Sequence, residues 1–339
     1  MRTFAYDRAA DASTIASALA EGSTRVLAGG TNLVDLMKLG IETPDRLVDI
    51  TGLALADIEW NDGSGGGVPG LRVGALVRNS DLAADPVVRS QFPVLSRAVL
   101  SGASGQLRNM ATTGGNLFQR TRCPYFMNVD TACNKREPGS GCSALDGDRR
   151  NAAVLGASQH CIATHPSDMA VGLAVLDPTV TVVGTDGVRE IRFADLHRLP
   201  ESAPERDSTL RQDEWVTHLD IPPLPPGARS TYRKVRDRAS YAFARVSVAA
   251  VVVVENGVFT TARIALGGAA HKPWRATVAE SELLGAIPSR SGVIAAMEHE
   301  LAAAHTFPDN DYKLSLLAST VASTVMSLAD AAADEAATR

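Results

Sequence analysis

Outside one short stretch this 339-residue sequence has no cysteine: all four lie between Cys123 and Cys161. It has no surplus of positive charge either. With 33 Lys+Arg against 38 Asp+Glu and a net charge of −5, the basic stripe that a nucleic-acid surface needs is excluded. The N-terminus shows no basic start followed by an apolar run and a small-residue cleavage site. No secretory signal is therefore expected, and the expected compartment is the cytoplasm, or the periplasm by co-export with a signal-bearing partner. No apolar run reaches the roughly 18 residues that span a bilayer, so no membrane segment is expected. No internal repeat is visible. The cysteine spacing, C-x9-C-x8-C-x18-C, lacks the C-x2–4-C pair of a structural zinc site.

What remains is an ordinary globular composition, 45% apolar and 21% charged, in a chain long enough for two or three domains. Short strands alternate with helices at the start: a strand over 4–6, a helix capped by Ser13, and a strand over 25–28 running into Gly29-Gly30-Thr31-Asn32. Strands are predicted at 47–50 and 71–77, joined by a glycine-rich tip over 62–70, then one helix over 86–100. Residues 118–165 show almost no periodicity, too long for a plain connection and therefore a functional loop or an insertion. A helix from Ser167 and a hairpin with its turn at Asp186-Gly187 follow. Pro222-Pro223-Leu224-Pro225-Pro226 places a domain boundary at about 222–230. Beyond it come a strand over 231–236, a hairpin turning at Asn256-Gly257, and helices over 276–285, 289–305 and 311–335, the last with an apolar stripe.

Gly65-Gly66-Gly67-Val68-Pro69-Gly70 matches G-x-G-x-x-G, but no strand precedes it and no helix follows, so it reads as a hairpin tip. Leu27-Ala28-Gly29-Gly30-Thr31-Asn32-Leu33 has the better context. A strand enters a glycine turn and a helix opens at once, leaving backbone N–H groups for an anion; a plain turn with an Asn cap is the competing reading. Ala111-Thr112-Thr113-Gly114-Gly115-Asn116 repeats that chemistry, and two such turns suit a long nucleotide such as FAD. Asp168 offers a carboxylate for sugar hydroxyls, or simply compensates its helix dipole. Glycines and Arg122, Lys135, Arg136, Arg149 and Arg150 flank the cysteines, a setting that favours an anionic thiolate-bound cluster. Spacing alone leaves a metal or cluster, disulfides and unconnected thiols all open. His299 and His305, six apart on the last-but-one helix, face different ways and do not pair as ligands; His160 and His165 read as loop-ordering. Lys234 is solvated, or near a cofactor ring if its strand faces the first domain.

Three segments in order, Leu27 to Leu33, Ala111 to Asn116 and Tyr232-Arg-Lys-Val-Arg-Asp-Arg-Ala-Ser240, resemble the FAD-binding subunit of the xanthine dehydrogenase family of molybdenum hydroxylases. Leu266 to Arg275 resembles the family's C-terminal domain. The insertion, with Cys133-Asn134-Lys135-Arg136 and Pro138-Gly139-Ser140-Gly141-Cys142, is similar to a branch of bacterial heterotrimeric aldehyde oxidoreductases whose flavin subunit carries an extra [4Fe–4S] cluster. The resemblance implies an α+β fold: a two-part FAD domain of the vanillyl-oxidase type over 1–222, with the iron–sulfur insertion at 118–165. A smaller α+β domain over 228–335, a three-stranded sheet with helices, would follow. It implies that Leu27, Ala28, Gly29, Gly30, Thr31, Asn32 and Leu33 hold the pyrophosphate, and that Thr112, Thr113, Gly114 and Asn116 hold the phosphate and ribityl region. Ile162, His165, Ser167 and Asp168 would follow along the ribityl chain, with Val216 and Lys234 near the isoalloxazine. Cys123, Cys133, Cys142 and Cys161 would ligate the cluster.

The role so implied is relay without a catalytic residue of its own. Electrons from a molybdopterin-bearing large subunit and a [2Fe–2S] small subunit would reach FAD and then an external acceptor. A standalone flavin oxidase would need acid/base residues that the sequence does not display. A zinc- or disulfide-stapled interaction subunit is the third reading, and one visible spectrum separates all three.

Overall fold

The structure, a computed structural model, describes residues 1–62 and 69–337; most of the G-x-G-x-x-G stretch lies outside the described residues. β1 (Ala5–Arg8), α1 (Ala12–Ala20), β2 (Thr24–Leu27), α2 (Leu33–Lys38) and β3 (Arg46–Asp49) form a parallel sheet in the order β1-β3-β2. The helix cap is Asp11, where Ser13 was expected. Its carboxylate accepts the Thr14 N–H at 2.9 Å while the Ser13 hydroxyl donates to the same group, because an anion suits the positive end of a helix better than a hydroxyl. α1 buries Ile15 and Leu19 against Val48 and Ile50.

β4 (Ile58–Asn61) and β5 (Gly70–Gly74) open a second sheet. The helix predicted over 86–100 is divided. α3 (Asn79–Ala84) is followed by α4 (Pro86–Gln91) and α5 (Pro93–Ser101), with Phe92 between the last two at φ −129°, ψ 54°. Proline disfavours helical angles in the residue before it, so Pro93 forces the break. After α6 (Gly105–Arg108) and α7 (Thr113–Leu117), the insertion holds only α8 (Pro124–Met127) and isolated bridges, one of them joining Cys133 to Cys142. α9 (Asp168–Leu176), β6 (Thr179–Gly184), β7 (Gly187–Arg192), α10 (Phe193–Leu196) and β8 (Trp215–Ile221) complete a five-stranded antiparallel sheet, β4-β5-β8-β6-β7.

β9 (Arg229–Val235), β10 (Val246–Glu255), β11 (Val258–Gly267) and β12 (Trp274–Arg275) form the third sheet, in the order β12-β11-β10-β9. The expected three strands gain a fourth of two residues, paired to Ala265 and Leu266. β10 is buried on both faces, and its period-2 alternation serves two cores. Ala249 and Val251 pack with α5 and α9, whereas Val248, Ala250 and Val252 pack under α11 (Thr277–Leu283), α12 (Arg290–Glu300) and α13 (Tyr312–Ala337). α9, buried at every position, is the helix between the sheets.

Two expectations are corrected at the C-terminal end. α12 stops at Glu300 and Ala304 is extended, so His305 is not helical; its N–H binds the Val154 carbonyl at 2.9 Å. The segment Tyr312–Ala332 does have the length and composition of a membrane span, but half of it is buried and Leu317, Val321 and Val325 pack on the sheet. Its apolar stripe faces a protein core. Spread over one face of α13, those residues form no single apolar run in the sequence.

Candidate functional site

Two glycine turns meet at the mouth of one large cavity. In the β2–α2 turn Gly30 sits at φ +70°, and a Cβ on Gly29 would lie 1.9 Å from the Met110 carbonyl oxygen, so only glycine fits against the second turn. In that second turn Thr112 caps α7 by accepting the Gly115 N–H at 3.3 Å, and a Cβ on Gly114 would press on Ala75. The cavity measures about 980 Å³ and runs between the first two sheets. Ala28 to Leu33, Thr112 and Gly114 line it as expected from the sequence, and Val216 joins them from β8.

Three side chains in its lining hold buried polar atoms with no partner: Asn32 Nδ2, His197 Nδ1 and Trp215 Nε1. Buried polar atoms are normally paired, so this cavity suits a polar occupant, and its volume and glycine turns fit a dinucleotide. Asn32 stands at the α2 cap position without capping; its Oδ1 instead accepts the Arg120 N–H at 3.0 Å. His197 binds the Leu117 carbonyl through Nε2 at 2.9 Å. His165 and His197 lie edge to face with centroids 4.7 Å apart. Burial drives both imidazoles below their ordinary pKa, so they are neutral and the bare nitrogen of His197 is an acceptor.

His165 is also part of the wall of a second cavity of about 270 Å³, shared with Ile162, Ser167, Asp168, Phe243 and Ser247. Ser167 caps α9, accepting the Ala170 N–H at 3.0 Å, and donates to Asn116 Oδ1 at 2.6 Å. The Asp168 carboxylate is gripped from the third sheet, by the Tyr232 hydroxyl at 2.5 Å and Lys234 Nζ at 2.7 Å. Lys234 thus faces the first domain, but it stands behind Asp168 and outside the cavity lining. Leu27, Thr113 and Asn116 also fall outside both linings; Thr113 is spent on the Val77 carbonyl at 3.0 Å.

The four cysteines converge on a third, small cavity that includes Lys135 and contains no carboxylate in its lining. All four thiols are free, so no disulfide joins them. Among the described residues no three His, Cys, Asp or Glu side chains gather closely enough for a single metal ion. Four sulfur donors spaced around a cavity, with no carboxylate among its lining, would suit a multi-iron group better than a lone zinc. Burial pushes the Cys161 thiol up to about 12, against the pull of Lys135, and also raises Cys123; a bound metal would have to displace those protons. Cys123 borders the second cavity as well. The three cavities therefore adjoin in series, through His165 and then Cys123.

Sequence reasoning missed His197, Trp215 as a polar wall, and the stretch 205–208 that closes the large cavity. The signal available for that stretch is the aperiodic, charged run over 200–213.

The family described as FAD binding domain in molybdopterin dehydrogenase matches residues 2–224, and the CO dehydrogenase flavoprotein C-terminal domain matches 230–327. The chain is 49% identical over 324 residues to the aldehyde oxidoreductase FAD-binding subunit PaoB of Escherichia coli K12, covering 95% of this chain and 97% of that one. It is 27% identical to the glyceraldehyde dehydrogenase medium chain of Sulfolobus acidocaldarius, over 78% of this chain and 74% of that one. Among solved structures, a chain of carbon monoxide dehydrogenase from Hydrogenophaga pseudoflava superposes with a TM-score of 0.73 at 21% identity, over 96% of each chain. That last likeness shows the fold.

Proposed function

The chain belongs to the FAD-binding subunits of the xanthine dehydrogenase, or molybdenum hydroxylase, family, and from this premise we propose that it is the electron-transfer component of an aldehyde oxidoreductase complex with an iron–sulfur cluster of its own. It is an oxidoreductase component and binds FAD. The partners we assign are a [2Fe–2S] small subunit and a molybdopterin-bearing large subunit, with electrons passing on to an external acceptor. Residence follows the complex: the cytoplasm, or the periplasm when a signal-bearing partner exports it. The domains we assign are 1–222, with the insertion at 118–165, and 228–335.

When bound, FAD supplies one-electron uptake and two-electron discharge. The work of this chain's own residues is binding and exclusion of water. Backbone amides after Ala28 and Thr112 would hold the pyrophosphate, and Thr31, Asn32, His197 and Trp215 would supply directional bonds along the 980 Å³ cavity. Ser167 and Asp168 would border the ribityl region, with Lys234 and Tyr232 fixing the carboxylate in place. Cys123, Cys133, Cys142 and Cys161 would ligate a [4Fe–4S] cluster. The observation that carries this reading is the series of cavities from the glycine turns through His165 to Cys123.

The test is a visible spectrum and an iron assay of the purified chain. Flavin bands, a broad shoulder near ~400 nm and about four iron atoms per chain are expected. Cys133→Ser should lose the shoulder and the iron while the chain still takes up flavin when FAD is supplied in excess. A wild-type chain carrying flavin but no iron after reconstitution refutes the cluster.

A further inference from the structure

One buried cation links the thiol cavity to the wall of the large cavity. Lys135 stands two residues after Cys133, and its side chain is only 1% exposed. It donates to the Pro204 carbonyl at 2.7 Å and to Asp207 Oδ1 at 2.5 Å. Residues 205–208 belong to no helix or strand, and they line the large cavity. Arg120 closes the circuit. Its Nε lies 2.7 Å from Asp207 Oδ2, while its own backbone N–H reaches Asn32 in the first glycine turn. Asp207 therefore ties the cysteine loop to both sides of the nucleotide cavity.

Burial alone would raise the Asp207 carboxyl, but Lys135, with Arg120, outweighs it and holds the group down at about 2. His271 Nε2 sits 3.7 Å away, and burial and Lys135 keep that imidazole at about 4, so it is neutral. Asp207 is thus held by Lys135 and by Arg120, which is shared with Glu42 at 2.7 Å, and removing Lys135 leaves a partly buried carboxylate short of a partner.

We infer that Lys135 is a positioning residue: through Asp207 it makes occupancy of the cysteine cavity and affinity for FAD mutually dependent. The inference rests on the FAD and cluster reading above. Ordering the cysteine loop fixes Lys135, Lys135 fixes the 204–207 stretch, and that stretch is one wall of the nucleotide cavity. Linkage is reciprocal, so FAD must steady the cysteine loop by the same factor.

The experiment uses the full chain. FAD is titrated by quenching of its fluorescence, and iron loss to a chelator is timed with and without saturating FAD. In the wild type, FAD should slow iron loss at least about fivefold, within the usual range of coupling between sites. Lys135→Met should bind FAD at least about tenfold more weakly and lose that protection, while Lys135→Arg restores most of both. Wild-type affinity and wild-type protection in Lys135→Met overturn the inference.

Should Lys135→Met fail to fold, Asp207→Asn and the milder charge-removing Lys135→Gln are combined in a double-mutant cycle on FAD affinity. Non-additivity of about fivefold or more supports the link, and additivity within about twofold overturns it. A wild-type chain that binds FAD but takes up no iron refutes the cluster reading, and FAD affinity alone then decides whether Lys135 positions the wall.

Discussion

A single methyl group decides whether the first glycine turn can exist. Adding a Cβ at Gly29 sets it 1.9 Å from the Met110 carbonyl oxygen, which is backbone and cannot swing aside. Gly29→Ala should therefore purify with at least roughly tenfold weaker FAD affinity, about 1.4 kcal/mol or more, measured by flavin fluorescence. The Asp168–Lys234 pair is a second residue-scale test. Both groups are buried, with side-chain exposures of 8% and 4%. Lys234→Met strands a buried carboxylate and should lower stability by about 3–5 kcal/mol in denaturant unfolding, whereas Lys234→Met combined with Asp168→Asn should recover much of that loss. At this scale the sequence was half legible. It identified Gly29, Gly30 and Gly114 because glycine has few other reasons to recur in strand-to-helix turns. It did not show that Asp11 would displace Ser13 as a cap, or that Thr113 would turn to the Val77 carbonyl.

At the scale of elements, β10 and α13 carry the C-terminal half. The run Val246-Ser-Val-Ala-Ala-Val-Val-Val-Val254 is apolar because each face meets a different core, α9 on one side and the terminal helices on the other. Leu317 is fully buried where α13 crosses the sheet. Leu317→Ala should cost about 2–5 kcal/mol, read from the urea midpoint at unchanged slope. Hairpins with Asp-Gly and Asn-Gly turns and the last helix were legible because turn chemistry and helical period are local. The break at Phe92 was written in Pro93 and was passed over in favour of the apolar pattern around it.

Charge burial sets the behaviour of the whole molecule with pH. Lys313 is buried at the start of α13, with Nζ donating at 2.8 Å to the carbonyls of Ala152 in the insertion and Gly268 at the end of β11. Burial lowers its ammonium from 10.5 to about 7. Between pH 7 and 10.5 the unfolded chain holds a proton at this site that the folded chain has released, so stability rises with pH, by at most about 1.4 kcal/mol per unit. Thermal melts between pH 7 and about 9, below the range where the raised Cys161 thiol acts in the opposite direction, should show the rise, and Lys313→Met should flatten it. On the acid side burial holds His271 at about 4, so stability is lost as pH falls from 6.5 towards 4, when the unfolded imidazole takes up a proton the folded one refuses. Melting temperatures that do not drop across that interval contradict the buried, neutral histidine.

The sequence by itself determined the local units and their chemistry: two glycine turns, an aperiodic insertion holding every thiol, and a helix opening at Ser167. Each of these rests on interactions within a few residues. Only the tertiary structure decided which of them meet. Cysteines up to 38 positions apart in the chain converge on one cavity because a loop without periodicity is shaped by long-range contacts, Lys135 to Asp207 and Arg149 to Asp309 among them. Asp168 offered its carboxylate in the sequence. The folded molecule pairs it with Tyr232 and Lys234, because α9 lies directly against the third sheet and a carboxylate buried there requires partners.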